Sequence, residues 1–243
     1  MRIGVYVDGF NLYYGARGVC GRGTAGWRWL AIRSLAQTIA AARLNWQPTT
    51  IDRVVYCTAR ISKADNASGY KDQGTYIKAL TESGNTDLIE FGNYVSRVKT
   101  APLAIEDSKG RPVLVLSQWP VMVKNSADQN VNNARFIVSH ARREEKGSDV
   151  NVASHLLIDI FSNSIDGAIV ISNDSDLAFP VSQARKRIPV GVVNPSSNVL
   201  AAKLAGTAGE GVGRHFWRQL VKADFTGHQL PDPVGTNVRP VGW

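Results

Sequence analysis

Cysteine is nearly missing from this chain. Cys20 and Cys57 are the only two, too few for a disulfide framework or a thiolate zinc site. No apolar run approaches the ~18 residues needed to cross a bilayer, which argues against a membrane partner. Histidine is scarce, at four residues, and no Ser/His/Asp or Cys/His nucleophile set can be assembled from the order of these residues. Internal repeats and low-complexity segments are absent. Met1-Arg2-Ile3-Gly4 passes straight into a strand pattern without the h-region of a signal peptide, so cytoplasm is the expected location. Acidic residues are outnumbered, 20 Asp and Glu against 28 Lys and Arg, giving a formal net charge of +8. A basic surface of that kind suits a polyanionic partner such as nucleic acid.

What is present is an α/β rhythm. The 243 residues can bury a sizeable core, and one domain with an elaboration fits that length. Apolar runs rich in Val and Ile predict strands at 2–7, 53–59, 87–91, 168–172 and 190–193. Helices are predicted from near Leu12, then at about 29–43, 71–83, 149–161, 175–187, 199–204 and 216–221. The Gly-rich stretch from Gly15 to Gly26 reads as a loop, and its G-x-G-x-x-G match at 21–26 does not follow a strand. Segments 102–105 and 113–116, joined by Asp107-Ser108-Lys109-Gly110, predict an antiparallel hairpin within an insertion at about 94–125. Residues 125–140 give a weaker signal, with a helix through 133–138 as one reading. One domain is expected over 1–226, with 227–243 an extended tail.

Carboxylates gather where these runs end. Asp8 closes the first strand, Asp149 opens a helix, and Asp174 and Asp176 follow the strand at 168–172. Ligands of open α/β sheets collect at the carboxyl ends of strands. Aspartates meeting there would repel one another unless a cation joined them, and their oxygens suit Mg²⁺ or Mn²⁺. Each motif has a plainer explanation. Asp8-x-x-Asn11 fits an Asx turn opening a helix, and Asp174-Ser175-Asp176 fits an N-cap with a second acid in the first turn. An extended backbone would instead turn Asp174 and Asp176 toward one metal position.

The segment Val5-Tyr6-Val7-Asp8-Gly9-Phe10-Asn11-Leu12-Tyr13-Tyr14 resembles the opening of the NYN domain family of PIN-like nucleases. Glu145-Lys146-Gly147-Ser148-Asp149-Val150 and Ile169-Val170-Ile171-Ser172-Asn173-Asp174-Ser175-Asp176-Leu177 are similar to its second and third motifs, and Ala223-Asp224-Phe225 to its last element. The resemblance implies a Rossmann-like, PIN-like three-layer sandwich with a mainly parallel sheet and a metal-dependent endoribonuclease. It places metal ligands at Asp8, Asp149, Asp174 and Asp176, with Asn11 as an orienting amide in the catalytic set. Where the family often has a further aspartate after Asp149, this chain has His155, either a weak outer ligand or an ordinary helix histidine.

The expected partner is RNA, single-stranded or structured, met by Arg142, Arg143, Arg185, Lys186 and Arg187; solvated helix termini explain the same basic clusters equally well. Of Tyr13, Tyr14, Trp27 and Trp29, about one is expected to stack on substrate, the rest filling core. A metal-bound hydroxide would leave 5′-phosphate and 3′-hydroxyl ends. A phosphohydrolase of small phosphoesters and a non-catalytic RNA-binding regulatory module stay open as alternatives, as does a homo-oligomer.

Overall fold

The structure is a computed structural model that describes residues 1–118 and 122–243 and leaves the side chain of Arg143 undescribed. It falls into two compact units, Met1–Tyr94 together with Glu145–Trp243, and Val95–Glu144.

The first unit is built on a mostly parallel sheet. Its strands are β1 (Arg2–Asp8), β2 (Thr50–Ala59), the start of β3 (Leu88–Pro102), β7 (Gly167–Ile171), β8 (Val190–Asn194) and β9 (Phe216–Gln219). They lie in the order β3-β2-β1-β7-β8-β9. The rest of β3 and most of β6 (Ile137–Lys146) belong to the second unit. β1 is parallel to both neighbours, with Val5 opposite Val54 on one side and Ile169 on the other. The pairs β2–β3, β7–β8 and β8–β9 are parallel as well. Strands paired on both edges and covered on both faces have no polar side, which is why β1, β7 and β8 read as unbroken apolar runs.

Alternation along β1 sorts its side chains onto two faces. Ile3, Val5 and Val7 join a core with α1 (Gly9–Cys20), α2 (Ile32–Ala41), α3 (Ala67–Glu82) and α7 (Lys222–Gly227), through Leu12, Leu35, Leu80 and Phe225. Tyr6 joins the opposite core with α4 (Ser148–Phe161), α5 (Ala178–Arg185) and α6 (Ala202–Ala205), through Val152, Leu156, Val181 and Leu204. Helices therefore cover both faces of the sheet. From β1 the chain steps outward through β2 to β3, then returns to β7 on the other side and steps outward again. The reversal lies between β1 and β7, and at such a point the loops leaving two strands part to opposite faces and open a crevice.

Four expectations are corrected. Helix α1 continues to Cys20 where a loop from Gly15 was expected. Gly15 serves close packing, since a Cβ there would stand 2.7 Å from the Pro195 carbonyl oxygen. The helix read through 133–138 is not formed, and Ile137 and Val138 open β6. The segment expected as a helix at 216–221 is edge strand β9, whose residues alternate between half-buried and exposed. The C-terminal stretch packs against the first core, burying Leu230 and Val234, and the Trp29 indole N–H donates to the Pro231 carbonyl at 2.8 Å.

The second unit contains β4 (Ala104–Glu106) and β5 (Pro112–Leu114), antiparallel with Ile105 opposite Val113. Asp107 closes their turn by accepting from the amides of Lys109 and Arg111, both at 2.8 Å. Residues 119–121, inside the expected 94–125 insertion, lie outside the described residues. No helix among the described residues is long and apolar enough to cross a membrane.

Candidate active site

The crevice at the chain reversal is a cleft of about 480 Å³ whose floor is acidic. Asp8 ends β1 and caps α1. It is 3% exposed, with Oδ1 accepting from the Asn11 amide at 3.0 Å and Oδ2 from the Ser172 hydroxyl at 3.1 Å. Gly9 follows it because a Cβ there would lie 2.9 Å from the Cys57 carbonyl oxygen. Burial pushes the Asp8 carboxyl up to about 6 against the pull of those two hydrogen bonds, with the charges of Glu145 and Asp174 adding to the rise.

Asp174 caps the 3-10 turn Ser175–Leu177 that leaves β7, accepting from the Asp176 amide at 2.9 Å. One contact fixes this loop against α1: Asn11 Oδ1 accepts from the Asn173 amide at 2.9 Å. Within the loop, Ser172 Oγ accepts from the Asp174 amide at 3.0 Å. Asp149 enters from the first turn of α4, where free amides favour a carboxylate. Burial, then the charges of Asp8, Asp174, Glu145 and Asp176, nevertheless push it up to about 7.

One carboxylate oxygen from each of Asp8, Asp149 and Asp174 lies within 4.8 Å of the other two, a spacing that a single cation can bridge. The same crowding adds to the raised proton affinity of the Asp8 and Asp149 carboxyls. Glu145 lines the cleft beside them and accepts from the Ser148 amide at 2.9 Å. The walls are of other chemistry. Phe10 and Tyr14, one helical turn apart on α1, line one side, with ring centroids 6.2 Å apart. Tyr94 stacks on Phe10 at 6.3 Å. Ser196 and Asn198, on the loop after β8, line the cleft as well.

The structure thus brings together Asp8, Asn11, Asp149 and Asp174 of the expected set. Asp176 is corrected: a 3-10 turn, not extended backbone, follows Asp174, so the second carboxylate is exposed and stands outside the converging three. His155 sits 3.4 Å from Glu90. Among the four aromatic candidates, Trp27 and Trp29 fill the core, and Tyr14 lines the cleft. Glu145 and Ser172 were not assigned roles from the sequence. Glu145 lay inside the quoted second motif, while Ser172 closes an apolar run and gave no polar signal.

The basic cluster at 185–187 divides. Arg185 is 2% exposed and donates to the carbonyls of Leu204 and Ala205 at 2.6 and 3.1 Å, with Glu210 at 3.7 Å. A guanidinium so enclosed holds α6 in place and cannot reach a phosphate, which corrects its assignment. Lys186 and Arg187 are exposed, Arg187 lying over the Phe161 ring at 4.7 Å. Arg142 belongs to the second unit, paired with Glu144 at 2.5 Å; the Arg143 side chain lies outside what is described.

No family model matches the chain. Among curated proteins it is similar to 6-hydroxy-3-succinoylpyridine 3-monooxygenase HspA of Pseudomonas putida, at 28% identity over 219 residues, 81% of this chain and 60% of that protein. The chain spans about 60% of the length of this relative. Among solved structures it is similar to a protein of unknown function from Vibrio parahaemolyticus, with a TM-score of 0.46 and 14% identity, covering 92% of this chain and 94% of that one.

The curated relative overturns the expected chemistry. It is named for adding oxygen to a pyridine, not for hydrolysing a phosphodiester. The metal-dependent endoribonuclease, its Mg²⁺ or Mn²⁺ cofactor and the phosphohydrolase alternative are corrected accordingly. The physical reason for the misreading is that converging carboxylates serve proton transfer as readily as they serve a metal, and sequence spacing does not separate the two.

Proposed function

We propose that the cleft binds a hydroxylated aromatic heterocycle and that the chain is an oxidoreductase of the monooxygenase type acting on it. The observation that carries this reading is one juxtaposition: the Asp8, Asp149 and Asp174 carboxylates converge at the floor of a cleft walled by Phe10 and Tyr14. The aromatic wall offers a face for a planar ring, and the acids offer a base at its edge. The name of the Pseudomonas putida relative supports the same substrate class.

Asp149 is the base in this account. Its affinity for a proton, raised to about 7, is matched to proton transfer near neutral pH. Removing the proton from the ring hydroxyl pushes electron density onto the ring carbons, which then react with an oxidant. Burial does most to make Asp149 basic, and the charge of Asp8, clamped by the Asn11 amide and the Ser172 hydroxyl, adds to it. Asp174 adds to it from the other strand end.

In the overall reaction a ring C–H becomes C–OH. One oxygen atom of O₂ enters the ring and the other leaves as water, which consumes two electrons and two protons. A reduced flavin or nicotinamide is the class of donor for those electrons. The residues present do not fit a resident dinucleotide at the chain reversal. A pyrophosphate would need the amides at the start of α1, and the Asp8 carboxylate already accepts from one of them. The electron donor is therefore not held at the start of α1.

Within this reading we also assign the chain to the NYN domain family and its PIN-like form of the sandwich. The convergence of Asp8, Asn11, Asp149 and Asp174, drawn from three quoted motifs, supports that assignment. The test is oxygen uptake and product analysis with a panel of hydroxypyridines and reduced nicotinamide or flavin. Substrate-dependent O₂ consumption with a newly hydroxylated ring is expected. Uptake that is unchanged in Asp149→Asn, or the absence of any hydroxylated product across the panel, contradicts the proposal.

A further inference from the structure

We infer that Arg17 selects substrates that carry an anionic substituent on the ring, and this rests on the cleft being the substrate site. Residues three and four apart share a face of a helix. Phe10, Tyr14 and Arg17 follow that spacing, so the wall formed by the two rings continues along α1 to a cation. The Arg17 guanidinium lies 5.8 Å from the centroid of the Tyr14 ring, and Tyr14 is 56% exposed. Arg28 and Arg33 are by contrast held by backbone carbonyls, Arg28 by Thr24 and Gly242 and Arg33 by Gly84 and Ile51. Among the described residues the Arg17 guanidinium makes no hydrogen bond and no carboxylate pair, and its ring contact is with a side chain that lines the cleft.

The charge layout gives this arginine a direction. Asp8, Asp149, Asp174 and Glu145 make the floor repulsive to an anion, so a ring with a carboxylate can enter only with its hydroxyl inward and its carboxylate outward. Arg17 lies on α1 beyond Tyr14, further along the helix from its Asp8 cap than either ring of the wall. A planar fork of N–H donors there suits a carboxylate better than a lysine would, since it binds both oxygens at once. Arg17 is a positioning residue in this scheme: it fixes which edge of the ring meets Asp149.

The experiment is calorimetric titration of the full chain with two probes, 6-hydroxynicotinate and 2-hydroxypyridine, at a pH where the carboxylate is ionised. Wild-type protein is compared with Arg17→Gln and Arg17→Lys. We expect wild-type protein to prefer the carboxylate probe, and Arg17→Gln to lower that preference about tenfold, in line with loss of one charge-assisted contact. Arg17→Lys should restore part of it. Equal affinity of wild-type protein for both probes overturns the inference and leaves the cleft reading intact, as does a preference that survives in Arg17→Gln. Binding of neither probe overturns the cleft reading and the inference together.

Discussion

The Ser172 hydroxyl donates to Asp8 Oδ2 at 3.1 Å while accepting from the Asp174 amide at 3.0 Å. This one side chain joins the end of β1 to the loop that leaves β7, and so holds two carboxylates from sequence-distant strands at one point. Replacing Ser172 with Ala removes both contacts at a fully buried position. The variant should lose about 1–3 kcal/mol of stability, the range for leaving buried polar groups unpaired. Its Asp8 carboxyl should also hold its proton to higher pH, because a bond to the charged form is gone. Denaturant titration measures the first effect, and carboxyl titration by NMR the second.

Asp149 makes stability depend on pH with a defined sign. Its folded value, about 7, lies above the ordinary carboxyl value, so between roughly pH 4 and 7 the folded chain binds more protons than the unfolded one. Stability should fall as pH rises through that window. Asp149→Asn removes the charge and should flatten the decline. Allowing for solvent screening of a half-buried group, the variant should be more stable at pH 8 by on the order of 1–2 kcal/mol. Thermal denaturation of both proteins at pH 5 and pH 8 checks it; an equal decline in both contradicts the assignment of the pKa.

Arg185→Ala should damage folding and not ligand binding. The enclosed guanidinium holds the carbonyls of Leu204 and Ala205, and its loss leaves them unpaired beside Glu210. A cost of about 3–5 kcal/mol is expected for breaking a buried charged network. Lys186→Ala, at an exposed site, should stay within about 0.5 kcal/mol of the parent. Comparable melting temperatures for the two variants would contradict the structural role.

Gly15→Ala tests how closely α1 approaches the loop after β8. The added methyl would meet the Pro195 carbonyl oxygen at 2.7 Å, and backbone cannot swing aside. Overpacking of this kind costs about 1–3 kcal/mol. Since Gly15 lines the cleft, ring binding should weaken in parallel. A variant as stable as the parent would show that the loop gives way.

Much of this arrangement is legible in the sequence, for a physical reason. Strands buried on both faces must be apolar throughout, so β1, β7 and β8 stand out, and with them the polar residues just past their ends. Asp8, Asn11 and Asp174 stand past those ends, and Asp149 opens a helix pattern of its own. Segments under weaker constraint were misread. Edge strand β9 carries Phe216 and Trp217 and is followed by Leu220, spacings that also suit a short helix, and nothing local chooses between them. Gly15 looked like a loop residue because its packing partner, Pro195, is distant in sequence. Arg185 looked like a surface cation because a tripeptide of basic residues does not reveal which member turns inward. The nature of the chemistry was the least legible part, since the same carboxylates suit a metal or a proton.

The central claim, that the acidic floor takes a proton from an aromatic ring held against Phe10 and Tyr14, is tested most directly by ultraviolet difference spectroscopy of a hydroxypyridine probe at pH 7.5. Bound to wild-type protein, the probe should show the spectrum of its anion, and bound to Asp149→Asn the spectrum of its neutral form. A probe that stays neutral on wild-type protein, or that ionises equally on Asp149→Asn, contradicts the account.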